Sequence, residues 1–219
     1  MPFGTVKLSD VRDPIIEPLW VGRRVLARIG ASDTAALTDE DGDEIVTFVE
    51  LRTEITAASL ATTLFVDGYL TEAIRDTTGV RTPDVAEGVA SPGQFGRQML
   101  LGGGGTGQQE RRDRIEASIV RRAAMPDEAQ AAFVAIDLLE LEGEDLLDVP
   151  LLERKRLLES ALGESTHVRR TTIVRPPPAT WYGQWLALGF HQMAFKAANG
   201  RYTPGVASRD WAIGRIPKR

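Results

Sequence analysis

Eight residues near the start, Glu17-Pro18-Leu19-Trp20-Val21-Gly22-Arg23-Arg24, set one carboxylate and two guanidinium groups around two inert positions. Leucine has no lone pair and valine takes no proton, so no activated nucleophile can stand at Leu19 or draw on Val21. A substitute amine has four sources, Lys7, Lys155, Lys196 and Lys218. The glycine run Gly102-Gly103-Gly104-Gly105-Thr106-Gly107 satisfies G-x-G-x-x-G, yet Gln108 and Gln109 stand where a phosphate loop needs Lys and Ser or Thr. Only the short Met99-Leu100-Leu101 precedes it, so it reads as a loop and not as a dinucleotide turn.

The other reactive groups are scattered. His167 and His191 match no zinc spacing and read as ordinary imidazoles. No serine sits in a G-x-S-x-G elbow, and there is no cysteine, which excludes disulfides and thiolate metal sites. The acidic residues at 140–148 have oxygen ligands for Mg²⁺ but no ordered ligand spacing, and read as a solvated turn. The arginine groups 111–114, 121–122, 169–170 and 215–219 are either contacts for a phosphate backbone or solvent-facing charge.

These groups need elements to hold them. Short strands are expected at 25–29 and 35–38, and an acidic Asp-Gly hairpin turn at 39–44. Phe48, Leu51, Ile55 and Ala58 recur at helical spacing over 47–60, followed by a strand at 63–66. Residues 71–107 read as an irregular connection and 108–124 as a solvated helix. A buried strand is expected at 132–141, and Pro150 opens a helix with Leu151, Leu158 and Leu162 on one face. A strand at 168–175, a break at Pro176-Pro177-Pro178, a helix capped by Thr180, and two short strands in 193–218 complete the order.

At 219 residues and 42% hydrophobic the chain can bury one sizeable core, and one domain over 1–219 is expected. A net charge of −5 argues against gripping nucleic acid through bulk charge. The opening Met1-Pro2-Phe3-Gly4-Thr5 lacks a charged region followed by an apolar core, and no run approaches the roughly 18 apolar residues of a span. A cytoplasmic protein without a membrane segment is the expectation.

The opening stretch resembles the nucleotide-loading motif of the ATP-dependent DNA ligases, E-P-K-W-D-G-x-R, with Leu19 at the lysine and Val21 at the acid. Further motifs follow in that family's order. Gly42, Phe48, Glu50 and Leu51 match S-R-x-G and F-P-E-L, with Glu40 at the arginine. Phe65 to Leu70 is similar to L-D-G-E-L, with Tyr69 at the glutamate. The run Phe133-Val134-Ala135-Ile136-Asp137-Leu138-Leu139 looks like F-V-x-F-D-L-L, with Ile136 at the phenylalanine that stacks on adenine. It continues through Gly143, Asp145-Leu146, Pro150-Leu151 and Glu153-Arg154. Lys196, Tyr202, Pro204-Gly205, Ser208 and Trp211 are similar to the closing motifs, where His191, Gln192, Ile213 and Arg215 replace other groups. Little is recognisable over 71–130.

The resemblance implies an α+β fold, the nucleotidyltransferase domain shared by DNA ligases and mRNA capping enzymes. Two antiparallel sheets flanked by helices would enclose a nucleotide cleft, with no oligonucleotide-binding barrel. It implies a vestigial cleft at Glu17, Leu19, Arg24, Tyr69, Ile136 and Lys196, no catalytic residue and no metal ligand. The expected protein is an inactive accessory module whose partners are DNA or a DNA-repair protein. ATP and Mg²⁺ would be cofactors only if the family's activity is retained. Two alternatives stay open. Nucleotidyl transfer could persist through Lys196, the lysine placed near the cleft, whose pKa burial would lower. The cleft could instead hold a small ligand between Leu19, Val21, Tyr69 and Ile136.

Overall fold

The computed structural model describes residues 1–72 and 125–217. The strands are β1 (Pro14–Pro18), β2 (Arg23–Ile29), β3 (Ala36–Asp39), β4 (Glu44–Ile45), β5 (Leu64–Glu72), β6 (Ala131–Leu141), β7 (Glu144–Asp145), β8 (Val168–Arg170), β9 (Gln192–Ala197) and β10 (Trp211–Arg215). The helices are α1 (Val49–Ala57), α2 (Leu151–Ala161) and α3 (Tyr182–Ala187). The glycine run and the solvated helix expected at 108–124 lie outside the described residues.

Two sheets form, as an α+β fold requires. The smaller runs β1-β9-β10, all antiparallel, and the larger runs β4-β3-β2-β5-β6-β7 with β8 paired to β6. That last pair is parallel, so the large sheet is mixed where antiparallel pairing alone was expected. Strand β6 carries this role because nine consecutive residues, 131–139, are buried, leaving both of its faces covered.

Alternation divides the large sheet. Val25, Ala27 and Ile29 of β2 pack with Val66, Ala135 and Leu138 against Leu51 and Ile55 of α1 and Leu158 of α2. The opposite face presents Tyr69 and Val134 to Ile16, Met193 and Phe195 of the small sheet. The cleft-side core is therefore the space between the two sheets. Burying each such aliphatic or aromatic side chain contributes about 1.5–3 kcal/mol, which outweighs the hydrogen-bond differences among possible registers.

β-Bulges break the alternation at two points: Phe65 pairs with Glu140 and Val66 with Leu138, which leaves out Leu139, and the second falls between Asp67 and Gly68. Asp67 pairs with Asp137 and Gly68 with Ala135, so β6 has one more residue than β5 there. The additional residue is Ile136, which joins the inter-sheet cluster.

Elsewhere the expected elements shift. The predicted helix over 47–60 shortens to α1, which Phe48 enters at φ 60 while buried. Only Val168–Arg170 of the expected 168–175 strand pairs in the large sheet, and Val174 instead bridges Ile16. Thr180 does not cap a helix: it ends a 3₁₀ turn at Pro178–Thr180, and α3 begins after Trp181 without a side-chain cap. Strand β1, which contains Glu17, is an element that the sequence pattern did not announce.

Candidate functional site

Strand β1 ends at Pro18, and the chain crosses to β2 through Leu19 to Gly22. Glycine is required at 22 because a Cβ there would meet the Leu70 carbonyl oxygen at 2.2 Å. The tight crossing fixes Glu17 on one side and Arg24 on the other.

Glu17 pairs through register with Ala194 of β9, so its side chain shares a face with Lys196, whose register partners are Ile15 and Trp211. The Lys196 ammonium is in direct ion-pair contact with Glu17 Oε1, and Lys155 Nζ donates to Oε2 at 2.7 Å. All three side chains are buried. Lys196 Nζ also lies 4.4 Å from the centre of the Trp211 ring.

Lys155 arrives from α2. The first free N–H groups of that helix find carbonyls just past β9: Leu151 donates to Gly200 O at 3.0 Å and Leu152 to Ala198 O at 2.9 Å. Leu151 is buried with Ile15 and Ala198, which docks the helix start on the small sheet. One turn later Lys155 meets Glu17.

Two carboxylates of the bulge region hold the neighbouring arginines. Arg24 grips Asp67 in a bidentate pair, with Nε to Oδ1 at 2.9 Å and Nη2 in contact with Oδ2. The Tyr202 hydroxyl donates to the same Asp67 Oδ2 at 2.9 Å. Arg154, beside Lys155, makes two 2.8 Å bonds to Asp137. All four side chains are buried, and each charge is paired and not stranded.

Burial works to raise the Glu17 carboxyl, but the ammonium groups of Lys155 and Lys196 outweigh it and hold it below the ordinary range. Burial pulls Lys196 below the ordinary lysine value, and the nearby Lys155 adds to this against the pull of Glu17. One carboxylate cannot fully offset two ammonium groups. Asp67 is held low: desolvation opposes ionisation, but Arg24 overcomes it. Burial pushes the Tyr69 phenol up to about 12.

The six residues expected in one cleft, Glu17, Leu19, Arg24, Tyr69, Ile136 and Lys196, fall into four places. Glu17 and Lys196 touch, and Arg24 stands with Asp67 and Tyr202. Tyr69 and Ile136 belong to the apolar cluster with Trp20 and Phe190, whose rings meet edge-on at 4.9 Å. Leu19 is 6% exposed, its N–H donating to Gln192 O at 3.0 Å, whereas Val21 is 60% exposed.

A cavity of about 530 Å³ lies beside this site, bordered by Arg24, Phe65, Leu139, Glu140, Tyr202 and Met1 among others. The four side chains expected to line a ligand pocket, Leu19, Val21, Tyr69 and Ile136, do not border it.

Sequence reading did not single out Lys155, Asp67, Asp137 and Arg154 as one constellation. A signal existed for Lys155, since it falls between Leu151 and Leu158 at i+4 and i+3 on the apolar face of α2. No comparable signal pairs it with Glu17, 138 positions away.

Among the described residues no group of three or more His, Asp or Glu could hold a metal ion. The acidic turn is used structurally: Glu140 pairs with Arg28 at 3.1 Å, Glu142 accepts from Thr62 N at 2.6 Å, and Asp145 accepts from Leu147 N at 2.7 Å. His167 pairs with Glu54 at 2.9 Å. The residues do not fit ATP as the resemblance would have it bound. There is no amine at Leu19 and no acid at Tyr69, and the ring position is the packed Ile136. Cations do remain, in Lys155, Lys196 and Arg24.

No protein-family model matches the chain. A DNA ligase of Methanoculleus marisnigri is 31% identical over 88 residues, 40% of this chain and 16% of that protein. A probable DNA ligase of Nocardia farcinica is 35% identical over 78 residues, 34% of this chain and 14% of that protein. This chain thus matches about a sixth or less of the length of these relatives. The crystal structure of the ligase domain from M. tuberculosis LigD superposes with a TM-score of 0.57 and 20% identity, covering 97% of this chain and 57% of that one. The chain is thus similar in sequence to DNA ligases over about two fifths of its length and shares the fold of a ligase domain over nearly all of it.

Proposed function

We propose that this chain is a single noncatalytic ligase-fold domain, spanning 1–219, that serves as an accessory module on DNA or beside a DNA-repair protein in the cytoplasm. The carrying observation is Leu19, a buried side chain without a lone pair where the resemblance demands an amine. The two buried lysines that could replace it are both engaged by Glu17. Incubation with labelled ATP and Mg²⁺, followed by denaturation, is expected to leave no label on the protein. A retained adenylate that disappears in Lys196→Ala would overturn this reading.

The lowered pKa of Lys196 favours a second reading, residual nucleotidyl transfer, because a larger share of the amine is neutral. The same labelling experiment separates the two. DNA association rests on the likeness to ligases and on the arginine groups. Titration with duplex DNA at two salt concentrations is expected to show affinity falling as salt rises, with a log–log slope near −0.9 per phosphate contacted. A salt-independent or absent interaction sinks the DNA partner and leaves the protein partner.

A further inference from the structure

The first residues touch both sheets, Met1 through Arg24 of β2 and Phe3 through Trp211 of β10. Met1 is buried, packed with Leu139, Tyr202 and Trp211. Arg24 Nη1 donates to the Met1 carbonyl oxygen at 2.7 Å, the Thr203 N–H reaches Met1 Sδ at 3.3 Å, and the Ser208 N–H donates to the Pro2 carbonyl at 2.8 Å. The Met1 nitrogen in turn donates to the Tyr202 hydroxyl at 2.6 Å. Phe3 bridges Ser208, and its ring centre lies 5.3 Å from that of Trp211 and 5.9 Å from Lys196 Nζ. Gly4 presses so closely on the segment before β10 that a Cβ would meet Ser208 O at 2.1 Å.

Two features set this segment apart from ordinary packing. Three of the four hydrogen bonds run from Arg24 and from the Thr203 and Ser208 amides to acceptors of the segment, so carbonyls and a thioether occupy positions that another acceptor could fill. Met1 and Pro2 also form part of the wall of the 530 Å³ cavity, whereas Glu17, Lys155 and Lys196 do not border it. The segment thus lines the cavity at Met1 and Pro2 and lies near Lys196 at Phe3.

We propose that residues 1–4 are a displaceable strap that closes the inter-sheet cleft on itself, holding with its own acceptors the donors that a phosphate-bearing anion would otherwise use. This goes beyond the reading of position 19 and holds whether or not the domain transfers a nucleotide. While the strap is docked, apparent affinity for such an anion is reduced by the fraction of molecules that are open.

The test compares the intact chain with Gly4→Val, whose side chain collides with Ser208, and with a chain beginning at Thr5. Each is titrated calorimetrically with ATP and with inorganic tripolyphosphate. At least about tenfold tighter binding of either anion by both variants is expected from a mostly closed strap. Equal affinity, or no binding by any of the three chains, overturns the proposal. Hydrogen exchange in the intact chain tests the strap independently of the variants' folding. The Thr203 and Ser208 amides are expected to be protected, and free exchange at both would also overturn it.

Discussion

At the scale of single residues, the informative feature is an imbalance of charge. One carboxylate, Glu17, faces two ammonium groups, so removing either lysine leaves a neutral pair and removing the carboxylate leaves two buried cations. Glu17→Gln is therefore expected to cost about 3–5 kcal/mol of stability, and Lys155→Met only about 1 kcal/mol, in urea unfolding. Equal losses would show that the pairing is not what matters. The pH dependence follows from the same groups. Because the folded pKa of Glu17 is lowered, its contribution is full above its unfolded value of 4.5 and is lost as pH falls through the folded value. Lys196 has the opposite charge type and is also lowered, so between its folded value and 10.5 the unfolded chain binds more protons. Stability should rise with pH across that interval, and this rise should be missing in Lys196→Met.

Among the elements, α2 positions most of the polar site. Its first turn is pinned by Leu151, and its next turn delivers Arg154 to Asp137 and Lys155 to Glu17. Leu151→Ala should cost about 2–5 kcal/mol through the cavity it leaves. It should also loosen the grip on Glu17, which a shift of the Glu17 carboxyl resonance towards ordinary titration would reveal. The second bulge of β6 plays the corresponding part for the apolar side, delivering Ile136 to the inter-sheet cluster. Restoring a ring with Ile136→Phe should overpack that cluster by about 1–3 kcal/mol, read as a lower unfolding midpoint.

For the whole molecule, the two sheets are joined by apolar packing and through α2, whose Arg154 pairs with Asp137 of the large sheet and whose Lys155 pairs with Glu17 of the small one. Arg24 and Asp67 belong to adjacent strands of the large sheet, and Tyr202 reaches them from beyond β9. Arg24→Met alone should cost about 3–5 kcal/mol by leaving Asp67 buried without its cation. Combining it with Asp67→Asn should recover most of that loss, because no charge is then stranded. A double-mutant cycle measures the difference, and simple additivity would contradict the coupling.

Much of the architecture was legible along the chain. The continuous apolar run of β6 and the 151–158–162 stripe of α2 gave an element its identity from local pattern alone, and the ligase-like motifs gave the order of the elements. Position 19 is fixed by the sequence too, since the chemistry of a leucine does not depend on its surroundings. Tertiary structure decided the rest. The helix expected from Thr180 begins only at Tyr182, because the preceding prolines take the chain through a 3₁₀ turn first. The bulge at Ile136 arises from pairing with β5, which no alternation within β6 can announce. The Lys155–Glu17–Lys196 cluster and the strap at residues 1–4 join groups far apart in the chain. Such contacts exist only once two sheets close on each other, because long-range pairing of buried charge is set by packing and not by neighbours in sequence.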